Sequence, residues 1–214
     1  MILKNFIVFE GIDGSGTSTQ IEILSKKLPS TGVKFHTTFE PTESQIGKFL
    51  RTILKGDIKF DNRTLAYLFA ADRCEHVFGE NGIKKMCSSG TIVISDRYLF
   101  SSLAYQSASC GIELPKTLNS FFPLPEILFY FQINPEISLN RVLSRDGKNT
   151  EIFENLEYQK KTSSWYEKII KYYETNKKNS ENNMHIVKID ASKSIEEISQ
   201  IIWTEVSKLP IIKL

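Results

Sequence analysis

The sequence predicts an α/β fold in which five parallel strands form one sheet with helices on both faces. Two observations predict it. Short apolar runs rich in β-branched and aromatic residues recur between Phe6 and Asp190, each followed by helical apolar spacing. The first run also breaks into three glycines, Gly11, Gly14 and Gly16, before an amphipathic stretch begins. Strand, glycine-rich loop and helix in that order is the context a phosphate-binding loop requires.

The elements follow in order. Phe6 to Phe9 reads as a strand buried on both faces. A helix starts at Ser18 and carries Ile21, Leu24 and Leu28 on one face. Pro29 to Gly32 is a turn, and Val33 to Phe39 a second strand. Glu40-Pro41-Thr42 closes that strand, because a residue before proline is pushed to extended geometry. The spacing of Ile46, Phe49, Leu50 and Ile53 predicts a helix from Ser44 to Leu54. A longer helix runs from Asn62 or Arg63 to Phe78. Thr91 to Ser95 is a buried strand that ends in Asp96-Arg97-Tyr98. Helical spacing returns from Phe100 to Ala108, and Pro115 opens a short helix. Glu126 to Ile133 is the next strand, with a helix from Pro135 to Leu143 behind it. Ser144 to Asn155 has little apolar content and reads as a short mobile lid. A long polar helix spans Asn155 to Tyr173, and the Lys- and Asn-rich stretch from Asn176 to Asn183 is a solvated linker. Met184 to Asp190 is the last strand. The last helix, Ser194 to Lys208, opens with a serine followed three residues on by Glu197.

Length and composition narrow the function. At 214 residues, with no internal repeat, residues 1–214 are expected to form a single domain. The formal charge of +2, from 27 basic and 25 acidic residues, argues against a nucleic-acid or membrane-surface binder. No apolar run approaches the ~18 residues of a membrane span. Met1 leads straight into the first strand without a signal-peptide pattern. Cys74, Cys87 and Cys110 are too scattered for a metal knuckle or a disulfide framework, so a reduced cytoplasmic setting is expected.

The chemistry sits at the strand ends, where ligands gather in a parallel sheet. The template G-x-x-x-x-G-K-[ST] runs from Gly11 to Ser18 with one departure, Thr17 in place of lysine. The glycines let successive N–H groups curl inward, and the helix start adds partial positive charge. The backbone cradle from Gly11 through Ile12, Asp13, Gly14, Ser15, Gly16, Thr17, Ser18 and Thr19 therefore survives the loss of the lysine side chain. Ser18 stands where such loops supply a Mg²⁺ ligand. Glu40-Pro41, Asp96-Arg97-Tyr98, and Arg141 with Arg145 follow later strands and should converge on the same cleft.

Five segments carry a resemblance that covers essentially the whole chain. Phe-Glu-Gly-Ile-Asp-Gly-Ser-Gly at 9–16, Phe-Glu-Pro-Thr at 39–42 and Leu-Phe-Ala-Ala-Asp-Arg at 68–73 stand in order. Asp-Arg-Tyr with Ser-Ser-Leu-Ala-Tyr-Gln at 96–106 and Ile-Asp-Ala-Ser at 189–192 follow. Together they resemble thymidylate kinases, and the third and fourth are far more specific than the phosphate loop.

The resemblance implies the P-loop nucleoside-monophosphate kinase fold and phosphoryl transfer from ATP to dTMP, giving dTDP and ADP. It implies that Phe69 stacks on thymine and that Arg73, Ser102 and Gln106 read the base edge. Tyr105 would crowd the sugar, Arg51 and Arg97 would grip the monophosphate, and Glu40 and Pro41 would border it. Asp13 and Asp96 would lie near the transferred phosphoryl, with Ser18 and Asp96 at Mg²⁺. Gly14 in the loop points to the bacterial type, in which a lid arginine is catalytic; Arg145 is the candidate, with Arg141 one turn earlier and Lys148 as an extra cation. A homodimer is implied as well. Phe39 departs from the pattern, since bacterial members usually carry arginine there.

Such a reaction needs no protein base, because the acceptor phosphate is already ionised at neutral pH. His36, His76 and His185 are scattered and take no catalytic task. Two alternatives remain at this stage. One is a deoxynucleoside kinase, which would need a carboxylate such as Glu10 to act on a neutral hydroxyl. The other is a catalytically weak nucleotide binder that has lost function with the lysine.

Overall fold

The computed structural model describes residues 1–146, 155–176 and 184–212, with 145 and 146 as backbone only. Five strands form one sheet: β1 (Ile2–Gly11), β2 (Phe35–Phe39), β3 (Ile92–Asp96), β4 (Leu124–Gln132) and β5 (His185–Asp190). All pairings are parallel, in the order β2-β3-β1-β4-β5. The register is what builds the site. Phe9 lies level with Asp96 and Phe129, Phe39 with Asp96, and Gln132 with Asp190. Every strand thus ends at nearly the same height, and the loops that follow must meet above one edge. The chain moves out to one side of β1 for β2 and β3, then to the other for β4 and β5, so the crevice opens over β1.

Alternation along β1 divides the core. Phe6 and Val8 face one layer, with Leu128, Tyr98 and Tyr166. Ile7 and Phe9 face the other, with Phe129, Phe131 and Ile202. Phe6, Ile7, Val8 and Phe9 are fully buried, and each side chain of this kind adds about 1.5–3 kcal/mol. The first layer is covered by α2 (Gln45–Leu54), α3 (Asn62–Phe78), α4 (Ile83–Ser88), α5 (Leu99–Cys110) and α8 (Leu156–Thr175). The second is covered by α1 (Thr17–Lys27) and α9 (Ile195–Val206). The short α6 (Glu113–Asn119) and α7 (Pro135–Asp146) complete the order.

Helix starts are chemically explicit. Ser44, Asp61, Asn155 and Ser194 cap α2, α3, α8 and α9 with side-chain oxygens, and Ser194 and Glu197 form the expected capping box. Helix α1 is different: its N-cap is Gly16, which offers no side chain.

The departures from expectation are local. Helix α4 was not anticipated, because six residues give too few turns for a periodic signal. Helix α6 opens at Glu113, two residues before Pro115. Helix α7 runs through Asp146, so Ser144 and the two residues after it continue that helix. Most of the expected lid, 147–154, and the linker residues 177–183 lie outside the described residues.

Candidate functional site

The loop between β1 and α1 supplies the first wall. Gly14 and Gly16 have φ of 80° and 95°, left-handed values that favour glycine. A Cβ on Gly14 would also sit 2.5 Å from the carbonyl oxygen of Ser138. The loop is cinched from α7, where the Ser138 hydroxyl donates to the Asp13 carbonyl. Because Gly16 gives no side-chain cap, the first N–H groups of α1 face the cleft as an anion seat. Ser18 Oγ donates to Asp96 Oδ2 at 2.5 Å, so the hydroxyl at the loop's end and the carboxylate at the end of β3 form one oxygen pair.

A cleft of about 480 Å³ runs over this loop. Loop residues from Ile12 to Gln20 line one side, and Asp96, Arg97 and Arg141 close part of the other. Arg141 also donates to the Ala191 carbonyl at 3.3 Å. Lys193 and Ile195 border the same cleft, and neither was singled out from the sequence. Their signal was only position, since they directly follow the Ile-Asp-Ala-Ser segment. The backbone of Arg145 lies in the last turn of α7, while its side chain and Lys148 lie outside the described residues.

A second pocket opens on the far side of Asp13 and Arg97. Glu40, Pro41, Phe69, Arg73, Ser102, Tyr105 and Gln106 all line it. Leu54 and Ser101 join them unanticipated. Gln106 is buried there and its Oε1 has no partner among the described residues.

Arg51 is not part of that lining. Its guanidinium donates to the carbonyls of Pro41 (2.5 Å) and Thr42 (2.7 Å), with Glu43 at 3.5 Å. The ring of Phe39 lies 5.1 Å from Arg51 Cζ and gives it an aromatic platform. The α2 arginine therefore braces the Glu40-Pro41-Thr42 turn in this structure. Asp72 fixes the same turn from α3, accepting from Thr42 N, Thr42 Oγ1 and Ser44 Oγ at 2.6–2.7 Å.

The floor of this pocket is a buried ion pair. Arg73 and Glu40 are 1% and 3% exposed in their side chains and meet at 2.6 Å. Arg73 also donates to Asn119 Oδ1 (2.5 Å) and Ser102 Oγ (2.9 Å). The second Glu40 oxygen meets His76 Nδ1 at 3.0 Å, and His76 Nε2 lies 2.7 Å from Thr38 Oγ1. His76 thus orients a pocket carboxylate without touching the cavity. Asn119 was not singled out from the sequence and His76 was given no task there, because single polar residues on helices carry no local signature.

Asp13 and Arg97 alone line both cavities among the residues described. Arg97 donates to Asp13 Oδ1 at 2.5 Å and to the Gly11 carbonyl and Ser101 Oγ at 3.0 Å each. Tyr105 OH donates to Asp13 Oδ2 at 2.9 Å, and burial holds this phenol well above its usual range, so it stays a neutral donor. Glu10, considered as a base for a hydroxyl acceptor, lines neither cavity and is fully buried. Ser18 and Asp96 are hard oxygen donors suited to Mg²⁺, which keeps most of its ligands as water and substrate phosphate. Among the described residues no cluster of three or more His, Cys, Asp or Glu side chains forms.

The family model for thymidylate kinase matches residues 9–202 of this chain. The chain belongs to the thymidylate kinase family. A relative from Treponema pallidum is 39% identical over 199 residues, 93% of each chain. One from Methanocaldococcus jannaschii is 37% identical over 214 residues, covering 98% of this chain and 100% of its own. A third, from Leptospira interrogans, is 40% identical over 168 residues, 77% of this chain and 81% of its own. The name of each contains the words thymidylate kinase. As in the first reading, the sheet is the five-stranded parallel sheet of a P-loop nucleoside-monophosphate kinase. Among the described residues, no helix is long and apolar enough to cross a membrane.

Proposed function

We propose that this protein is a nucleoside-monophosphate kinase that transfers the γ-phosphoryl group of ATP to dTMP, giving ADP and dTDP. One observation carries the reading: Arg97 and Asp13 form the shared wall between the anion seat and the aromatic pocket. A phosphoryl group passing between two bound nucleotides must cross that wall.

The chemistry needs alignment and charge neutralisation more than proton transfer. The loop amides and the start of α1 hold the donor phosphates, and Arg97 meets charge where the two nucleotides face each other. Ser18 and Asp96 would hold Mg²⁺, which would neutralise charge on the donor phosphates. Phe69 stacks on thymine at a worth of about 1–3 kcal/mol. Stacking separates bases poorly, so selection falls to Arg73, Ser102 and Gln106. The unpartnered Gln106 Oε1 suits a base N–H, and a base that leaves it unpaired is penalised. Tyr105, tied to Asp13, crowds the sugar. Arg51, braced behind Pro41, reaches the monophosphate by turning its fork.

In the bacterial mode, with Arg141 one turn before the lid arginine, Arg145 or Lys148 covers part of the deficit left by the missing lysine at 17. The reading further includes one domain with a lid near 144–155, a cytoplasmic setting and a homodimer. Support for the dimer is the exposure of single aromatics on α2 and α3, where Phe49, Tyr67 and Phe78 are 38%, 57% and 43% exposed. The burial of Glu10 outside both cavities disfavours the deoxynucleoside kinase alternative.

A coupled assay of ADP release with dTMP, thymidine and other monophosphates tests the reaction. Turnover with dTMP above all others supports it. Turnover with thymidine instead, or none with ATP and magnesium, refutes it.

A further inference from the structure

Glu10 is a fully buried carboxyl beneath the site for which the reaction has no direct use. It stands at the end of β1, one residue before the phosphate loop. Its Oε1 accepts from Tyr98 N (2.8 Å) and Ser101 N (3.1 Å), two amides at the start of the twelve-residue helix α5. Its Oε2 accepts from Ser101 Oγ (2.6 Å) and Tyr166 OH (2.8 Å). The Ser101 hydroxyl in turn accepts from Arg97 Nη1 at 3.0 Å. One hydroxyl therefore separates the buried carboxylate from the arginine at the junction of the two cavities.

Arg97 needs such support. Its φ is 72°, a left-handed value that few non-glycine residues adopt. Its N–H donates to the Phe9 carbonyl at 2.9 Å, and its carbonyl accepts from Ser95 Oγ at 2.7 Å. The backbone is thus clamped by β1 and β3, while the first turn of α5 is clamped by Glu10.

We propose that Glu10 is a positioning residue for Arg97, acting through the Ser101 hydroxyl and the first turn of α5. Oε2 fixes the Ser101 proton, which leaves a Ser101 lone pair aimed at the guanidinium. A proton on Glu10 would make that oxygen a donor competing for the same lone pairs, and would remove the negative charge that favours Arg97 in place. The surroundings make this exchange relevant near neutrality. Burial, partly offset by Ser101, Arg97 and Tyr166, pushes the Glu10 carboxyl up to about 7. The groups facing it are Arg97 from the loop, Ser101 from α5, Tyr166 from α8 and Tyr130 from β4. Burial holds both of those phenols above their usual range, so they remain neutral donors.

The inference rests on the proposed reaction, so the wild type is measured first. Absence of dTMP turnover there defeats the reaction reading; only with turnover present do the variants judge Glu10. Glu10→Gln keeps the shape but replaces one acceptor with an amide donor. Ser101→Ala removes the hydroxyl link and leaves both amide contacts to Glu10. Steady-state kinetics from pH 5.5 to 9, with circular dichroism confirming the fold, are the readout.

In the wild type, kcat should climb through an apparent pKa near 7, above the substrate phosphate's own ionisation at about 6. In each variant that folds, kcat at pH 8 should fall about ten- to hundredfold, the scale of a misplaced catalytic group. The step near 7 should vanish, while the KM for ATP stays within about threefold of wild type, a shift well under the ~1.4 kcal/mol of a tenfold change. A folded Ser101→Ala or Glu10→Gln protein that keeps the wild-type kcat and its step overturns the proposal, even if its melting temperature drops. Should Glu10→Gln fail to fold, Ser101→Ala decides alone.

Discussion

Replacing Arg73 by methionine tests how the floor of the aromatic pocket is held. The substitution keeps an unbranched apolar stem but removes a guanidinium whose side chain is 1% exposed and lies 2.6 Å from Glu40. What remains is a carboxylate, itself 3% exposed, facing only His76. Breaking a buried pair from one side costs about 3–5 kcal/mol, because the surviving charge stays desolvated. For a chain of this size each kcal/mol shifts Tm by about 2–4 °C, so a drop of roughly 6–20 °C is expected. Removing both charges should hurt less than the sum of the single changes. Glu40→Gln with Arg73→Met should show a coupling of about 1–3 kcal/mol by urea denaturation of all four proteins. Additivity within about 0.5 kcal/mol, or a single-variant loss below about 1 kcal/mol, would refute the argument that this pair is dry and mutually dependent. Both singles should also raise the KM for dTMP more than that for ATP, since the pair lines only the acceptor pocket.

Three further outcomes follow from other parts of the structure. Thr17→Lys restores a cation at the start of α1 beside the anion seat and should raise turnover; equal or lower turnover means no deficit existed. Gly14→Ala places a Cβ 2.5 Å from the Ser138 carbonyl at a φ of 80°, so ATP affinity should fall about tenfold or more, and unchanged ATP titrations would contradict the loop geometry. Glu10 should also shape stability against pH. Its folded pKa is raised from 4.5 to about 7, so the fold holds the proton more tightly than the unfolded chain. That contribution is full below 4.5 and is lost as pH rises to about 7, a decline on the order of 3 kcal/mol. Glu10→Gln should lack this slope in urea melts, and a slope identical to wild type would count against a raised Glu10.

Particular residues show what could be read in one dimension. The phosphate loop was legible because glycine spacing, an apolar strand and a helix start are all local, and Gly14 and Gly16 adopt the left-handed φ their lack of Cβ permits. The α9 capping box was legible for the same reason, since Ser194 and Glu197 are three residues apart. Helix α4 was not, as six residues are too few to show a period. Arg51 could be matched by position, but which carbonyls its long side chain meets depends on the turn packed against it. His76, dismissed for catalysis, proved to orient Glu40 from 36 residues away.

The chain's pattern alone thus settled that five apolar runs would pair in parallel and that an anion seat would follow the first, because hydrophobic period and glycine freedom act between near neighbours. Only the folded molecule decided that Glu10, Ser101 and Tyr166 would meet beneath Arg97, or that Arg73 and Glu40 would share a dry pocket floor. Those contacts join residues up to 156 positions apart, and burial, which gives them their strength, exists only once the sheet and its helices have closed around them.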